Sequence, residues 1–339
     1  MGFFGFHDIT GIDIGAGSIK MVRYSGFPKP KIVAASLLEL PLGPGEGSVA
    51  AGLSMLHGGR KLGGKIVTLL PGRNLTIRHA TFPKMPLSEL REAVRWESKR
   101  HISYPLESAM IEYLLLGERL EGTTTKYDVL LVATELATVR EHLSPFDQTG
   151  ITVNAVDANP LALRNVFHLQ DVKTDANVLV VDLGAGKTEI NIFRQGALRF
   201  SRCIETGGFE MTQAVAEELG MGLDEAEALK RRTSLASVSD EDRAAPVIRT
   251  KLDGILLEIR RSVEYYKSTF RERSVERTIL TGGVALTAGL QEYFTRDLEG
   301  PVELCEPFQG LISRQGVLDE FAGATTRFSA AMGLALRKA

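Results

Sequence analysis

Apolar and polar positions alternate in short runs that repeat as a set. Gly11 to Ile14, Ser18 to Tyr24 and Lys31 to Leu40 read as a three-strand meander, with turns at Gly15-Ala16-Gly17 and Gly26-Phe27-Pro28. Asn177 to Leu183, Thr188 to Phe193 and Ala197 to Ile204 repeat that meander in the second half. After the first copy comes a Gly-rich stretch at 41–64, with a helix expected at about Val49 to Leu56, and then a short buried strand at Lys65 to Leu70. The texture changes near Thr76. Phe82-Pro83-Lys84-Met85-Pro86 leads into a helix from about Leu87 to Ile102, with Leu87, Leu90, Val94 and Ile102 on one side. Strands at Met110 to Leu116 and Tyr127 to Ala133, a helix at Leu136 to Gln148 and a strand at Ile151 to Val156 complete an inserted α-β-β-α-β module.

A connecting helix is expected at 158–168, and further helices at Gly207 to Leu219 and Asp224 to Arg232. A polar loop is expected at Ser237 to Ala245. Thr250 to Phe270 predicts a long amphipathic helix whose stripe is Leu252, Ile255, Leu256, Ile259 and Val263. The strand Arg277 to Thr281, an apolar-periodic run from Gly289 to about Leu298, a strand at Val302 to Cys305 and a helix from about Thr326 to Leu336 close the chain.

The two meanders share more than their strands. Ile12-Asp13-Ile14-Gly15-Ala16-Gly17-Ser18-Ile19-Lys20 and Val181-Asp182-Leu183-Gly184-Ala185-Gly186-Lys187-Thr188-Glu189 each deliver an Asp, a Gly-x-Gly turn and a second strand. Glycines in such a hairpin let backbone N–H groups approach an anion closely. The preceding Asp suits Mg²⁺, a hard cation that keeps several waters. Two such hairpins across a cleft would grip a Mg-nucleotide by its phosphates. A P-loop does not fit, because Val181 stands where its first Gly belongs and a strand follows where a helix must open. The dinucleotide fingerprint fails because its third Gly would fall at Lys20 or Glu189. Gly282-Gly283 ends a strand, and paired glycines there let a flat ring or sugar lie against bare backbone.

Composition adds bounds. The 339 residues suffice for two domains of ordinary size, with 44% hydrophobic and 24% charged residues as in globular chains. A net charge of −2 provides no basic field for nucleic acid or an anionic membrane. No apolar run reaches the ~18–20 residues that span a bilayer. Met1 to His7 has phenylalanines but no basic region or cleavage site, so it does not read as a secretory signal. Cys203 and Cys305 lack metal-type spacing and suit a reducing cytoplasm.

The order of two phosphate hairpins followed by a Gly-Gly turn resembles the actin, Hsp70 and hexokinase superfamily. That resemblance covers nearly the whole chain. It implies an α/β, two-lobed actin-like (ribonuclease H-like) ATPase fold with the α-β-β-α-β subdomain inserted in the first lobe. The expected division is 1–76 plus 154–175 for the first lobe, 77–153 for the insert, 176–206 plus 275–339 for the second lobe, and 207–274 for its subdomain. Ala226-Glu227-Ala228-Leu229-Lys230 resembles the helix of bacterial actins whose Glu and Lys contact ribose and adenine, although Glu and Lys at i, i+3 are also a common surface pair. Val156-Asp157-Ala158-Asn159-Pro160 resembles the motif before the interdomain helix, where those actins carry a water-orienting Glu. Here Asn159 stands in its place, and an amide orients water but cannot serve as general base.

Phe82 to Pro86, Glu89-Leu90, Trp96-Glu97, Ile102 to Glu107, Val129 to Ala133, Gly207-Gly208, Thr212 and Glu258 to Ser262 together resemble the PilM family, cytoplasmic actin-like proteins of type IV pilus assembly. The resemblance implies ATP and Mg²⁺ as cofactors, with at most slow ATP hydrolysis. The phosphates would be held by Asp13, Gly15, Ala16, Gly17, Ser18 and Lys20 and by Asp182, Gly184, Ala185, Gly186, Lys187 and Thr188. Gly207 and Gly208 would also bind the nucleotide, Glu227, Lys230, Gly282 and Gly283 would hold its nucleoside, and Asp13 and Asp182 the metal, directly or through water. It implies as partner the cytoplasmic N-terminal peptide of PilN, in a groove between first lobe and insert, where Thr76 to Phe82 has strand character. Pilus motor ATPases are further expected partners. The protein would sit at the inner face of the inner membrane, peripheral to it through partners. An FtsA-type division protein and a small-molecule kinase of the same superfamily are the alternatives. A kinase needs an Asp base beside the acceptor hydroxyl, and no segment plainly supplies one.

Overall fold

The apolar run Val178 to Val181, inside the strand Asn177–Leu183, needs cover on both faces and both edges, and the fold supplies it. The computed structural model describes residues 8–26, 29–42, 46–58, 62–70, 72–169, 175–236 and 242–337. Parts of the expected Gly26-Phe27-Pro28 turn, the Gly-rich stretch and the 237–245 loop lie outside them.

The first half gives β1 (Ile9–Ile14), β2 (Ser18–Ser25), β3 (Lys31–Glu39), α1 (Glu46–His57) and β4 (Lys65–Leu70). Next come β5 (Thr76–Pro83), α2 (Leu87–Ser98), β6 (Ala109–Glu121), β7 (Thr124–Glu135), α3 (Leu136–Gln148), β8 (Ala155–Ala158) and α4 (Asn159–Leu169). The second half gives β9 (Asn177–Leu183), β10 (Thr188–Arg194), β11 (Ala197–Ile204), α5 (Gly208–Leu219), α6 (Leu223–Arg232) and α7 (Ala244–Phe270). It closes with β12 (Arg277–Thr281), α8 (Leu290–Thr295), β13 (Val302–Leu304) and α9 (Ser329–Ala335). The sheets run β3-β2-β1-β4-β8 and β11-β10-β9-β12-β13. In each, an antiparallel meander is extended by two parallel strands. The repeated sequence is therefore a repeated half-fold.

The insert is built around a third sheet, β5-β7-β6, all antiparallel. Strand alternation divides β7: Tyr127, Val129 and Leu131 pack under Leu90 and Val94 of α2, while Leu130 turns the other way and joins the core between the lobes. This corrects the expected α-β-β-α-β order in detail. Strand β5 precedes the helix, and the strand after α3 is β8, which pairs with β4 in the first sheet. Helix α2 also ends earlier than its apolar spacing predicts. Ser98 donates back to the Val94 carbonyl (2.7 Å), and the chain tightens where Lys99 N–H bonds to Trp96 O and Arg100 N–H to Glu97 O. Helix α7 starts earlier than expected. Pro246 lies in its first turn, where the missing N–H costs nothing.

The two large sheets face each other across α4 and α9. Val166, Phe167, Ala331, Met332 and Ala335 share one core with Val22 and Ile32 of the first sheet and Val178, Val180, Phe193 and Ile279 of the second. Backbones meet closely here. A Cβ on Gly333 would lie 2.0 Å from Ala162 O, and one on Gly11 2.2 Å from Ala331 O. Asn165 Nδ2 donates to Gly333 O at 2.9 Å.

Gly333→Val should cost about 3 kcal/mol or more by overpacking this crossing. Gly254→Ala, in the exposed middle of α7 where a Cβ meets open space, should stabilise by ~0.5–1 kcal/mol. Urea unfolding of both variants measures this, and the opposite order would refute the packing described.

Candidate nucleotide site

The two glycine turns are built alike. Gly15 N–H bonds to Ser18 O (3.0 Å), and Gly184 N–H to Lys187 O (2.9 Å). None of Gly15, Gly17, Gly184 and Gly186 has positive φ, so their requirement is spatial. A Cβ on Gly17 would lie 3.0 Å from Ala185 Cβ, and one on Gly186 3.0 Å from Ala16 Cβ. Each turn thus presents its glycine to the other's alanine. The turns form part of the wall of a cavity of about 730 Å³ between the lobes.

Asp13 and Asp182, the penultimate residues of β1 and β9, lie on this wall. Lys20, opposite Asp13 in the β1–β2 pairing, meets its carboxylate at 3.1 Å. Asn159, at the start of α4, donates one amide group to both Asp182 Oδ2 (2.6 Å) and Glu189 Oε2 (3.1 Å). Its Oδ1 is buried and has no protein partner. Glu189 also pairs with Lys187. Burial, the Glu189 carboxylate and, more weakly, Asp13 push the Asp182 pKa up to about 6, against the pull of the Asn159 hydrogen bond. Burial alone would lower the Lys187 pKa, but Glu189 outweighs it and holds the ammonium above its ordinary value. Gly72 covers this cluster, since a Cβ there would lie 2.2 Å from Glu189 Oε1.

The other end of the cavity is formed by α5, α6 and the turn after β12. Gly208 N–H and Phe209 N–H donate to Gly184 O (3.0 Å) and Ala185 O (2.7 Å), seating the second turn on the start of α5. Lys230 Nζ reaches Gly208 O (2.9 Å), Thr212 Oγ1 (2.7 Å) and Glu227 Oε2 (2.5 Å). Burial works against the Glu227 carboxylate, yet Arg231, Lys230 and Thr212 together hold its pKa below the usual range. Gly282 has φ +90°, and a Cβ there would lie 2.4 Å from Leu183 O. That turn packs against the end of β9 in a way only glycine permits.

Of the residues singled out in the sequence, all but two line the cavity. Thr188 donates to Thr206 O (2.8 Å) and faces away, and Gly207 lies beneath the second turn, 2.7 Å from Gly184 O by its would-be Cβ. Sequence reasoning missed Glu189, although the polar alternation Lys187, Glu189, Asn191 on a strand was a visible signal. It also missed a rim of charges. Glu39, from the end of β3, meets Arg327 at 2.8 Å and Arg231 of α6 at 3.5 Å, while Arg327 donates to Ser18 Oγ at 3.2 Å. No local pattern could bring these together.

The Asp182 carboxyl is harder to ionise in the fold than in the unfolded chain. The penalty sets in as pH rises from the ordinary carboxylate range through about 6. Without nucleotide, Asp182→Asn should therefore melt a few degrees above wild type at pH 7, and the gap should close below pH ~4. Thermal melts across that range measure it; a variant that melts lower at pH 7 would refute the assignment.

The cell division protein FtsA of Neisseria meningitidis serogroup B is 26% identical over 256 residues, covering 68% of this chain and 60% of its own length. The chain thus spans about 60% of the length of that relative. A solved PilM-PilN type IV pilus biogenesis complex superposes with TM-score 0.84 at 27% identity, covering 97% of this chain and 98% of that one. MreB 5 of Spiroplasma citri bound to AMPPNP superposes with TM-score 0.53 at 10% identity, covering 96% and 94%, which supports the actin-like ATPase fold alone. The model of the type IV pilus assembly protein PilM matches residues 67–339, and the chain belongs to that family.

Proposed function

We propose that this chain binds ATP-Mg²⁺ between its lobes and serves as a nucleotide-sensing platform of type IV pilus biogenesis. The likeness to the PilM-PilN complex, over nearly the full length of both chains, carries this reading. The cavity fits the cofactor: two glycine turns with close backbone, paired Asp13 and Asp182, and a spare acceptor at Asn159 Oδ1. Magnesium, when bound, would offset phosphate charge. Asp13 and Asp182 would hold its waters, and the glycine turns the phosphates. Thr212, Glu227 and Lys230 would set the position of α6 against α5, with Gly282 and Gly283 giving a bare surface to the nucleoside.

Asn159 keeps Asp182 and Glu189 in place through its amide donors, which leaves only its carbonyl for a water. A carbonyl orients water but takes no proton. The chain is accordingly at most a slow ATPase.

Partner capture belongs to the junction of first lobe and insert. Half-buried Leu75, Leu114, Leu116 and Leu161 surround the core there, and an extended peptide needs such apolar pockets. We assign this junction to the N-terminal cytoplasmic peptide of PilN. The protein would then link the inner-membrane complex to the pilus motor at the membrane's inner face. Among the described residues no helix is long and apolar enough to cross a membrane.

Calorimetry with ATP-Mg²⁺ and with the PilN peptide tests both halves. Asp13→Ala should weaken ATP-Mg²⁺ about tenfold or more by removing a carboxylate from the metal's shell, and Asn159→Glu should raise turnover. Leu116→Asp should lose the peptide and keep the nucleotide. Unchanged ATP-Mg²⁺ affinity in both Asp13→Ala and Asp182→Ala would overturn the nucleotide assignment. Wild-type capture by Leu116→Asp would move the partner elsewhere, and phosphate transfer to a metabolite would favour a kinase.

A further inference from the structure

Among the described residues, six lysines and arginines line the nucleotide cavity, and their partners divide them. Lys20 is held by Asp13 and Lys187 by Glu189. Lys230 is held by Glu227, Arg231 by Glu227 and Glu39, and Arg327 by Glu39. Arg73 is the exception. It is exposed, and among the described residues its side chain forms no ion pair and no hydrogen bond. Even Glu205, which lines the cavity close by, does not pair with it. An arginine without a carboxylate on the wall of an anion site is a charge that the protein itself does not neutralise.

Its place along the cavity follows from its neighbours in the chain. Strand β4 ends at Leu70, and Leu69 and Leu70 line the cavity. A short turn follows, closed where Leu75 N–H bonds to Gly72 O (3.1 Å). Gly72 fits there because it has no side chain. A Cβ would lie 2.2 Å from Glu189 Oε1 and 3.0 Å from Lys187 Nζ. Arg73, the next residue, therefore leaves the backbone beside the cluster in which Asn159 holds Asp182 and Glu189. Helices α5 and α6, with Glu227 and Lys230, form the opposite end of the cavity.

On the nucleotide reading above, on which this inference rests, the nucleoside lies against α5, α6 and Gly282-Gly283. The two glycine turns hold phosphates between the ends, so the polyphosphate runs toward Asn159 and Arg73. We propose that Arg73 is a specificity-determining residue that binds the terminal phosphate of a nucleoside triphosphate and so separates ATP from ADP. A guanidinium presents parallel N–H donors that match two phosphate oxygens at once. Lys20 and Lys187 are already committed to carboxylates, whereas Arg73 turns to the phosphate without breaking an ion pair. Space for that turn exists, because Arg73 also lines the neighbouring cavity toward the insert. A diphosphate ends short of it.

The test is calorimetry on the full chain with Mg²⁺ and either ADP or AMPPNP, an ATP analogue that resists hydrolysis. Wild type should bind AMPPNP about tenfold more tightly than ADP, as one charge-assisted contact allows. Arg73→Gln should lose AMPPNP by about that factor and keep ADP within about twofold. Arg73→Lys, which keeps the charge without the fork, should fall between them. Thermal melts verify that both variants fold. Equal wild-type affinity for the two nucleotides, a full preference retained in Arg73→Gln, or an equal loss of both nucleotides would overturn this inference and leave the nucleotide reading standing. Loss of the PilN peptide by Arg73→Gln with its nucleotide preference intact would place Arg73 in the partner junction instead. A wild-type chain that binds neither nucleotide would overturn the inference together with the reading beneath it.

Discussion

The cleft is organised by two turns that approach until each glycine meets the other turn's alanine. Gly17 faces Ala185 and Gly186 faces Ala16, and a methyl group on either glycine would lie 3.0 Å from the facing alanine, so that neighbour would have to yield by a few tenths of an ångström. Because each turn is closed by its own backbone bond and seated on a central strand, the approach of the turns fixes the relation of the two sheets. Asp13 and Asp182 then line the same cavity. The cost is a crowded acidic floor, which Lys20, Lys187 and the Asn159 amide offset.

Much of this was legible in the chain because it is local. A strand, an Asp and a Gly-x-Gly turn occupy consecutive positions, and their duplication announces two equivalent half-folds. The parallel strands Lys65–Leu70 and Arg277–Thr281 were readable as short buried runs for the same reason. What escaped was set by distant partners. Glu39 and Arg327 meet although 288 residues separate them, and nothing near either one foretells it. Glu189 differs, since its place in the polar alternation Lys187, Glu189, Asn191 was visible, and only its enclosure by Lys187 and Asn159 depended on the fold.

The insert shows the limit of periodicity as a guide. Strand β5 has the alternation of an ordinary strand, and only the fold reveals that its sheet is shared out, with one face covered by α2 and the other by the core between lobes. Its outer edge lies beside that of β11 without a backbone ladder, and the two meet where Arg199 and His79 are 3.3 Å apart. The arginines around them are a common protection against unwanted pairing.

Helix α9 has a consequence for how the protein comes into being. It packs on β1, with Ala331 against the bare backbone of Gly11, although almost the entire described chain lies between them. On the ribosome, the opening meander would emerge early with one apolar face uncovered, and that face would be closed only after both phosphate turns had been synthesised. The first lobe therefore does not mature ahead of the second. A competent cleft waits for α9 to cover that face.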